Sequence, residues 1–214
     1  FSLTSNAGHP LGLLGASCCF TRFKITENVP NELWEQIPSK LKQFAFRDID
    51  EIPEERAWGW VAFEDMLDVE WRSAPPDKGA YLAFAFRLDT RRIPPAVLKK
   101  HVQIALREEE QRIREQGKKF IGRDRKLELR DQVRLRLLGR FLPVPAVFDI
   151  AWNTDANVVY LASTQTNLIE LFMEYFTLTF DLHLEPLTPY SLAASFLDDA
   201  AIQRLDMLEP TRFA

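Results

Sequence analysis

A chain of 214 residues, 46% apolar and 27% charged, has enough apolar side chains for one large core or two smaller ones. No apolar run approaches the ~20 residues of a membrane-spanning helix, and the two cysteines, Cys18 and Cys19, are adjacent, which excludes a disulfide scaffold and makes a reducing cytosol the default. The net charge of −4 excludes a uniformly basic polyanion binder, but residues 87–140 hold 17 Lys and Arg against 8 Asp and Glu, leaving 10 bases and 23 acids elsewhere.

Residues 1–14 are small, polar and Gly/Pro-containing, and Ser5-Asn6-Ala7 resembles a cloning scar, so this arm is set apart as a disordered segment or tag remnant. Ala16 to Ile25 alternates apolar and polar residues and predicts a strand. From Pro30, the 3–4-residue spacing of Leu33, Trp34, Ile37, Leu41 and Phe44 predicts a helix that Pro38 should kink or split. Asp48, Asp50, Glu51, Glu54 and Glu55 make an acidic loop whose spacing matches no EF-hand, so it reads as a solvated surface loop. Ala57 to Phe63 and Tyr81 to Leu88 read as strands, separated by an irregular connection that ends in the turn signal Pro75-Pro76-Asp77-Lys78-Gly79. Trp58, Trp60 and Trp152 sit in strand patterns and read as core.

Pro94 and Pro95 suit a helix start, since their fixed φ is pre-set for it, and Gly117 ends a run of about 22 residues, a rod of roughly 33 Å. A second helix follows Gly122, from about Arg123 to Leu138, closed by Gly139. At 100° per residue, Leu98, Val102, Ala105, Leu106, Ile113 and Phe120 form one apolar stripe of the first helix. Lys100, Arg107, Arg114 and Lys118 fall on another, within about 40° of one another. On the second helix Leu129, Val133 and Leu137 make an apolar seam with Lys126, Arg130 and Arg134 beside it, while Asp124, Glu128 and Asp131 lie on another side. Acids and bases are thus sorted onto different faces, which i, i+4 pairing alone would not require. A row of cations along a rod suits a phosphate backbone; the plainer alternative is a helical hairpin that is simply rich in Lys and Arg.

Val144 to Trp152 and Val158 to Ala162 bracket an Asn/Asp-rich loop at residues 153–157 and predict a hairpin. Thr166 to Phe176 predicts an amphipathic helix, Leu178 to Leu184 a strand, and residues 186–214 short helices. Strands and helices come in unequal groups, which predicts an α+β fold with antiparallel or mixed sheet regions and a projecting basic helical pair. The expected organisation is an arm at 1–14, an N-terminal α+β part at 15–93, a basic helical arm at 94–140, a hairpin, helix and strand part at 141–190, and a tail at 191–214, together a single unit.

From Leu13 to Thr188 the chain resembles the RdgC recombination-associated proteins, DNA-binding proteins of bacteria. The likeness rests on the opening strand, Phe44-Ala45-Phe46 and Gly59-Trp60-Val61, then on the helix opening Val97-Leu98-Lys99-Lys100, the pair Lys118-Lys119 and the run Leu129-Arg130-Asp131-Gln132-Val133, where Gln132 departs from the family's acid. Leu137-Leu138-Gly139-Arg140-Phe141, the hairpin from Asp149-Ile150-Ala151-Trp152 to Val158-Val159-Tyr160-Leu161, and Pro186-Leu187-Thr188-Pro189 continue it. The resemblance implies a cytoplasmic, nucleoid-associated protein that binds DNA without sequence preference, acts in recombination or replication alongside recombination proteins, and forms a homodimer able to enclose duplex DNA. Long family members continue past the end of this chain with a part that helps close the ring.

The residues expected to contact phosphates are Lys99, Lys100, Arg107, Arg114, Lys118, Lys119, Arg123, Lys126, Arg130, Arg134 and Arg140. A second reading is an adaptor whose basic arm docks an acidic protein partner. A third is a metal-dependent exonuclease, since Pro76-Asp77 and Asp124-Arg125-Lys126 formally match a proline-aspartate then acid-x-lysine pattern. Asp124 is better explained as a first-turn acid facing the helix dipole, and His9, His101 and His183 have no metal-ligand spacing, so neither catalysis nor a cofactor or metal is expected. Phe120 between the basic residues either closes the helix packing or wedges into a groove.

Overall fold

The structure is a computed structural model that describes residues 12–15, 17–117 and 120–209. Six strands form one sheet in the order β2-β3-β4-β5-β1-β6, with β1 Thr21–Ile25, β2 Arg56–Ala62, β3 Tyr81–Thr90, β4 Val144–Asn153, β5 Val158–Leu161 and β6 Leu184–Pro186. The helices are α1 Asn31–Gln43, α2 Pro95–Glu115, α3 Arg123–Leu138, α4 Thr166–Phe180, α5 Pro189–Ala194 and α6 Asp199–Asp206. The fold is α+β. No helix among the described residues is long and apolar enough to cross a membrane.

The described residues fall into two compact units, one drawn from those up to Phe44, from Val61–Phe86 and from Phe148 onward, the other from Ala45–Trp60 and those between Arg87 and Val147. In the first, β1 lies between β5 and β6, antiparallel to both, with Phe23 opposite Val159 and Pro186. The β4–β5 hairpin forms as expected, Trp152 pairing with Val159 across it. Asn153 closes its loop by accepting from the Asp155 and Ala156 amides, and Asn157 takes the left-handed conformation (φ 52°) that asparagine tolerates.

The core of this unit is aromatic, and it is built on α4. Phe172, Phe176 and Phe180 stand at i, i+4 and i+8, with neighbouring ring centroids 5.8 and 4.7 Å apart. Trp152 sits 5.3 Å from Phe176 and 5.6 Å from Phe180, and Phe23 sits 5.5 Å from Phe172. Each of these rings is buried, a gain of about 1.5–3 kcal/mol apiece.

The same stacking corrects the expected strand at Leu178 to Leu184. Helix α4 runs on to Phe180, and only Leu184 at the end of that stretch enters a strand. Phe180 completes the helical column, and the Thr179 hydroxyl donates back to the Tyr175 carbonyl at 2.8 Å. The period of the buried rings therefore outweighs the β-propensity of Thr and Phe. Asp181, at φ 58°, ends the helix.

Helix α1 is not split: it passes through Pro38 as one continuous element. Leu33, Ile37 and Leu41 bury one face of it on both sides of the proline, and that burial offsets the missing amide bond. The first strand is shorter than expected, beginning at Thr21 with Phe20 still exposed. Trp60 and Trp152 are core residues, but Trp58 is 38% exposed. Residues 1–11 of the expected arm lie outside the described residues.

In the second unit, the segment after α1 runs beside β2 through a parallel bridge between Ala45 and Trp60, the Phe46 amide donating to the Trp60 carbonyl at 2.9 Å. Gly59 makes that approach possible. A Cβ there would lie 2.4 Å from the Phe46 Cα, closer than any side chain can sit against backbone. Arg87 and Asp89, two residues apart and on one face of β3, form a buried bidentate pair at 2.7 and 2.8 Å, and the Arg87 guanidinium lies 4.0 Å over the Phe46 ring.

Candidate nucleic-acid interface

Helices α2 and α3 start and stop where their punctuation places them. Pro95 occupies the first turn of α2, and Gly117, at φ 74°, follows its C-terminus; Gly122 and Gly139 flank α3. On α3 the expected seam of Leu129, Val133 and Leu137 is buried, whereas the expected stripe of α2 is only partly covered. Leu98, Val102, Ala105, Leu106 and Ile113 are each only half-buried, and Phe120 is 86% exposed, so it does not close the helix packing.

The one buried residue of α2 is Glu109. Its carboxylate accepts from the Arg125 Nε of α3 at 2.8 Å and lies 3.6 Å from Arg112. Arg125 also binds Glu128 one turn along at 2.7 Å. The Arg125 hydrogen bond holds the Glu109 carboxyl below its ordinary range against the opposing effect of burial, and Glu109 and Glu128 in turn push the Arg125 guanidinium up. At 100° per residue Glu109 falls in the middle of the α2 apolar stripe, a signal that an acid there needs a cation from the neighbouring helix. Glu108, Arg112, Gln132 and Arg136 line the groove around this pair. These arginines were not among the expected contacts.

The expected contacts are distributed as follows. Lys99, Lys100, Arg107, Arg114, Arg123, Lys126, Arg130 and Arg140 are exposed, and none forms an ion pair with a described carboxylate. Arg134 is exposed but bound: its Nε and Nη2 reach the Glu55 carboxylate at 2.6 and 2.5 Å. Lys118 and Lys119 lie outside the described residues.

Neither basic row lines the groove between the helices. Measured around α2 from the side carrying Ala105, Glu109 and Arg112, the Lys100–Arg107–Arg114 row is turned by about 165°. Around α3, the row of Arg123, Lys126, Arg130 and Arg134 is turned by about 140° from the side carrying Arg125, Leu129 and Gln132. The α2 row is therefore an outer face. Its three cations are spaced at about 10.5 Å and span about 21 Å, close to six base-pair rises of duplex.

Beside α3 stands the acidic loop, and Arg91 builds it. This buried guanidinium donates to the carbonyls of Ile49 at 2.7 Å, Asp50 at 3.0 Å and Ile52 at 2.5 Å, and its backbone amide donates to the Glu55 carbonyl at 2.8 Å. One residue thus satisfies the loop's backbone from both of its own donor groups. Asp48, Asp50, Glu51, Glu54 and Glu55 are all exposed around it.

The residues of the nuclease pattern have local roles. Asp77 accepts from the Gly79 amide at 2.9 Å in its turn, and Asp124 stands in the first turn of α3. Among the described residues, no group of three or more His, Cys, Asp or Glu could hold a metal ion. No family model and no curated protein matches this chain.

Proposed function

We propose that this protein binds DNA without sequence preference, through phosphate contacts made by the α2 row and extended by the exposed cations of α3. The observation that carries the reading is the row itself: Lys100, Arg107 and Arg114, exposed and free of described carboxylates on the outer face of a continuous 21-residue helix. Evenly spaced cations on a rigid rod meet a polymer of evenly spaced anions, and binding releases condensed counterions. Contacts to phosphates carry no base information, so a row that meets only the backbone binds every duplex alike. The resemblance to RdgC proteins extends the proposal to a homodimer acting on duplex DNA during recombination in the bacterial nucleoid.

The test is a salt titration of binding to several unrelated duplexes. Log affinity should fall linearly with log salt, by about 0.9 per phosphate contact, with similar slopes for every sequence. Reversing the row with Lys100→Glu, Arg107→Glu and Arg114→Glu should abolish most of that binding and flatten the slope. Affinity indifferent to salt, or a triple variant that binds like wild type, would refute the reading. Sedimentation of the free protein tests the dimer.

A further inference from the structure

The two basic rows are unlike in one respect: the α2 row forms no ion pair with a described carboxylate, whereas the α3 row meets the acidic loop at Arg134. We propose that the loop from Ile49 to Glu55 is a built-in acidic clamp, in which Glu55 competes with an incoming polyanion for Arg134 and keeps that end of the α3 row out of initial contact. This rests on the polyanion-binding reading of the helical pair.

Three features distinguish the clamp from a chance surface ion pair. Glu55 is held in place: the Arg91 amide fixes its carbonyl, and the Arg91 guanidinium fixes the backbone at Ile49, Asp50 and Ile52. The loop backbone then needs no further ordering when the pair forms, and only side-chain entropy is spent. The contact is two-pronged, both the Nε and the Nη2 of Arg134 reaching one carboxylate oxygen, so an incoming phosphate must displace Glu55 to take both donors. Finally, Asp48, Asp50, Glu51 and Glu54 surround Glu55 with further exposed negative charge on the same anchored loop, which raises the local cost of bringing a phosphate to Arg134. A polyanion long enough to engage the α2 row first can displace Glu55; a short one meets the acidic loop as a like charge. The clamp thus favours polymers over isolated phosphates.

The experiment compares Glu55→Gln with Glu32→Gln, an exposed acid on α1 whose loss changes net charge by the same amount. Binding of the full chain to an unrelated duplex and to linear polyphosphate is followed across a salt series. Glu55→Gln should tighten both by about twofold to fivefold at low salt, the scale of an exposed ion pair, and steepen the salt slope by about 0.9; Glu32→Gln should do neither. In an Arg134→Gln background, Glu55→Gln should have no further effect. Equal effects of the two glutamate variants, no effect of Glu55→Gln, or an effect that survives Arg134→Gln would overturn the clamp. Failure of the DNA reading looks different: duplex binding would then be insensitive to reversal of the α2 row in the wild-type and Glu55→Gln backgrounds alike. If neither polyanion binds either protein, both proposals fall.

Discussion

Helices α2 and α4 are each long, continuous and amphipathic, and they bury opposite kinds of residue. The 15 residues of α4 place Leu168, Phe172, Phe176, Thr179 and Phe180 out of solvent, and its rings meet Trp152, Phe23 and Phe84. The 21 residues of α2 bury a single side chain, Glu109, and leave their apolar stripe half-covered. One helix is anchored by fully buried rings, the other by a partly covered apolar stripe with an ion pair at its centre. Helical periodicity is present in both, so periodicity identifies an element without saying what its apolar face meets. A helix with so little buried surface is free to carry a cationic outer face, because nothing in its packing restrains the residues on that side.

The contrast can be broken most sharply in the aromatic core. Phe172→Ala should destabilise the protein by about 3–5 kcal/mol, whereas Leu106→Ala on the half-buried α2 stripe should cost about 1 kcal/mol, both read by chemical denaturation. Equal losses would show that the two helices are anchored alike. Arg91→Ala comes next: it strands the carbonyls of Ile49, Asp50 and Ile52 and should cost about 1–3 kcal/mol, with faster amide exchange confined to the acidic loop.

The ion pair of α2 is sharpened by pH. Arg125 holds the Glu109 carboxyl below its ordinary value of 4.5, so the folded form binds that proton more weakly than the unfolded chain does. The resulting stabilisation is complete above pH 4.5 and is lost as the pH falls through the folded value. Glu109→Gln should therefore be less stable than wild type at neutral pH, and the gap should narrow below pH 4.5. A gap that stays constant with pH would mean that the carboxylate charge contributes nothing. The smallest effect is expected from reversing Lys100, Arg107 and Arg114, which should leave the unfolding free energy within about 0.5 kcal/mol of wild type while changing polyanion binding. A large loss of stability there would mean that the row is structural.

Much of the fold was legible because its signals are local. Pro94, Pro95, Gly117, Gly122 and Gly139 punctuate α2 and α3 through backbone preferences that need no neighbours, and the structure ends both helices at those residues. Asn153 to Asn157 marks the β4–β5 hairpin in the same way. The end of α4 was not legible. Leu178 to Leu184 carries strand propensity, and only the ring of Phe180 set against Phe176 and Trp152 settles it as helix. Nor could pattern separate Trp58 from Trp60, neighbours in one strand of which only the second is fully buried.

The candidate interface divides along the same line. Which cations share a face of α2 follows from 3.6 residues per turn, and the charge asymmetry of residues 87–140 can be counted from the chain alone. Which cations are already bound depends on segments far apart in sequence: Arg134 with Glu55, 79 residues away, and Arg125 with Glu109 across the turn between the helices. Arg91, which reads as one more base in a basic stretch, builds the acidic loop from 39 to 42 residues away. By itself the sequence determined the helices, their faces and their charge, since those depend on spacing along the backbone. The tertiary structure alone decided which charges remain available, because an ion pair forms wherever folding brings two side chains within reach, whatever their separation in the chain.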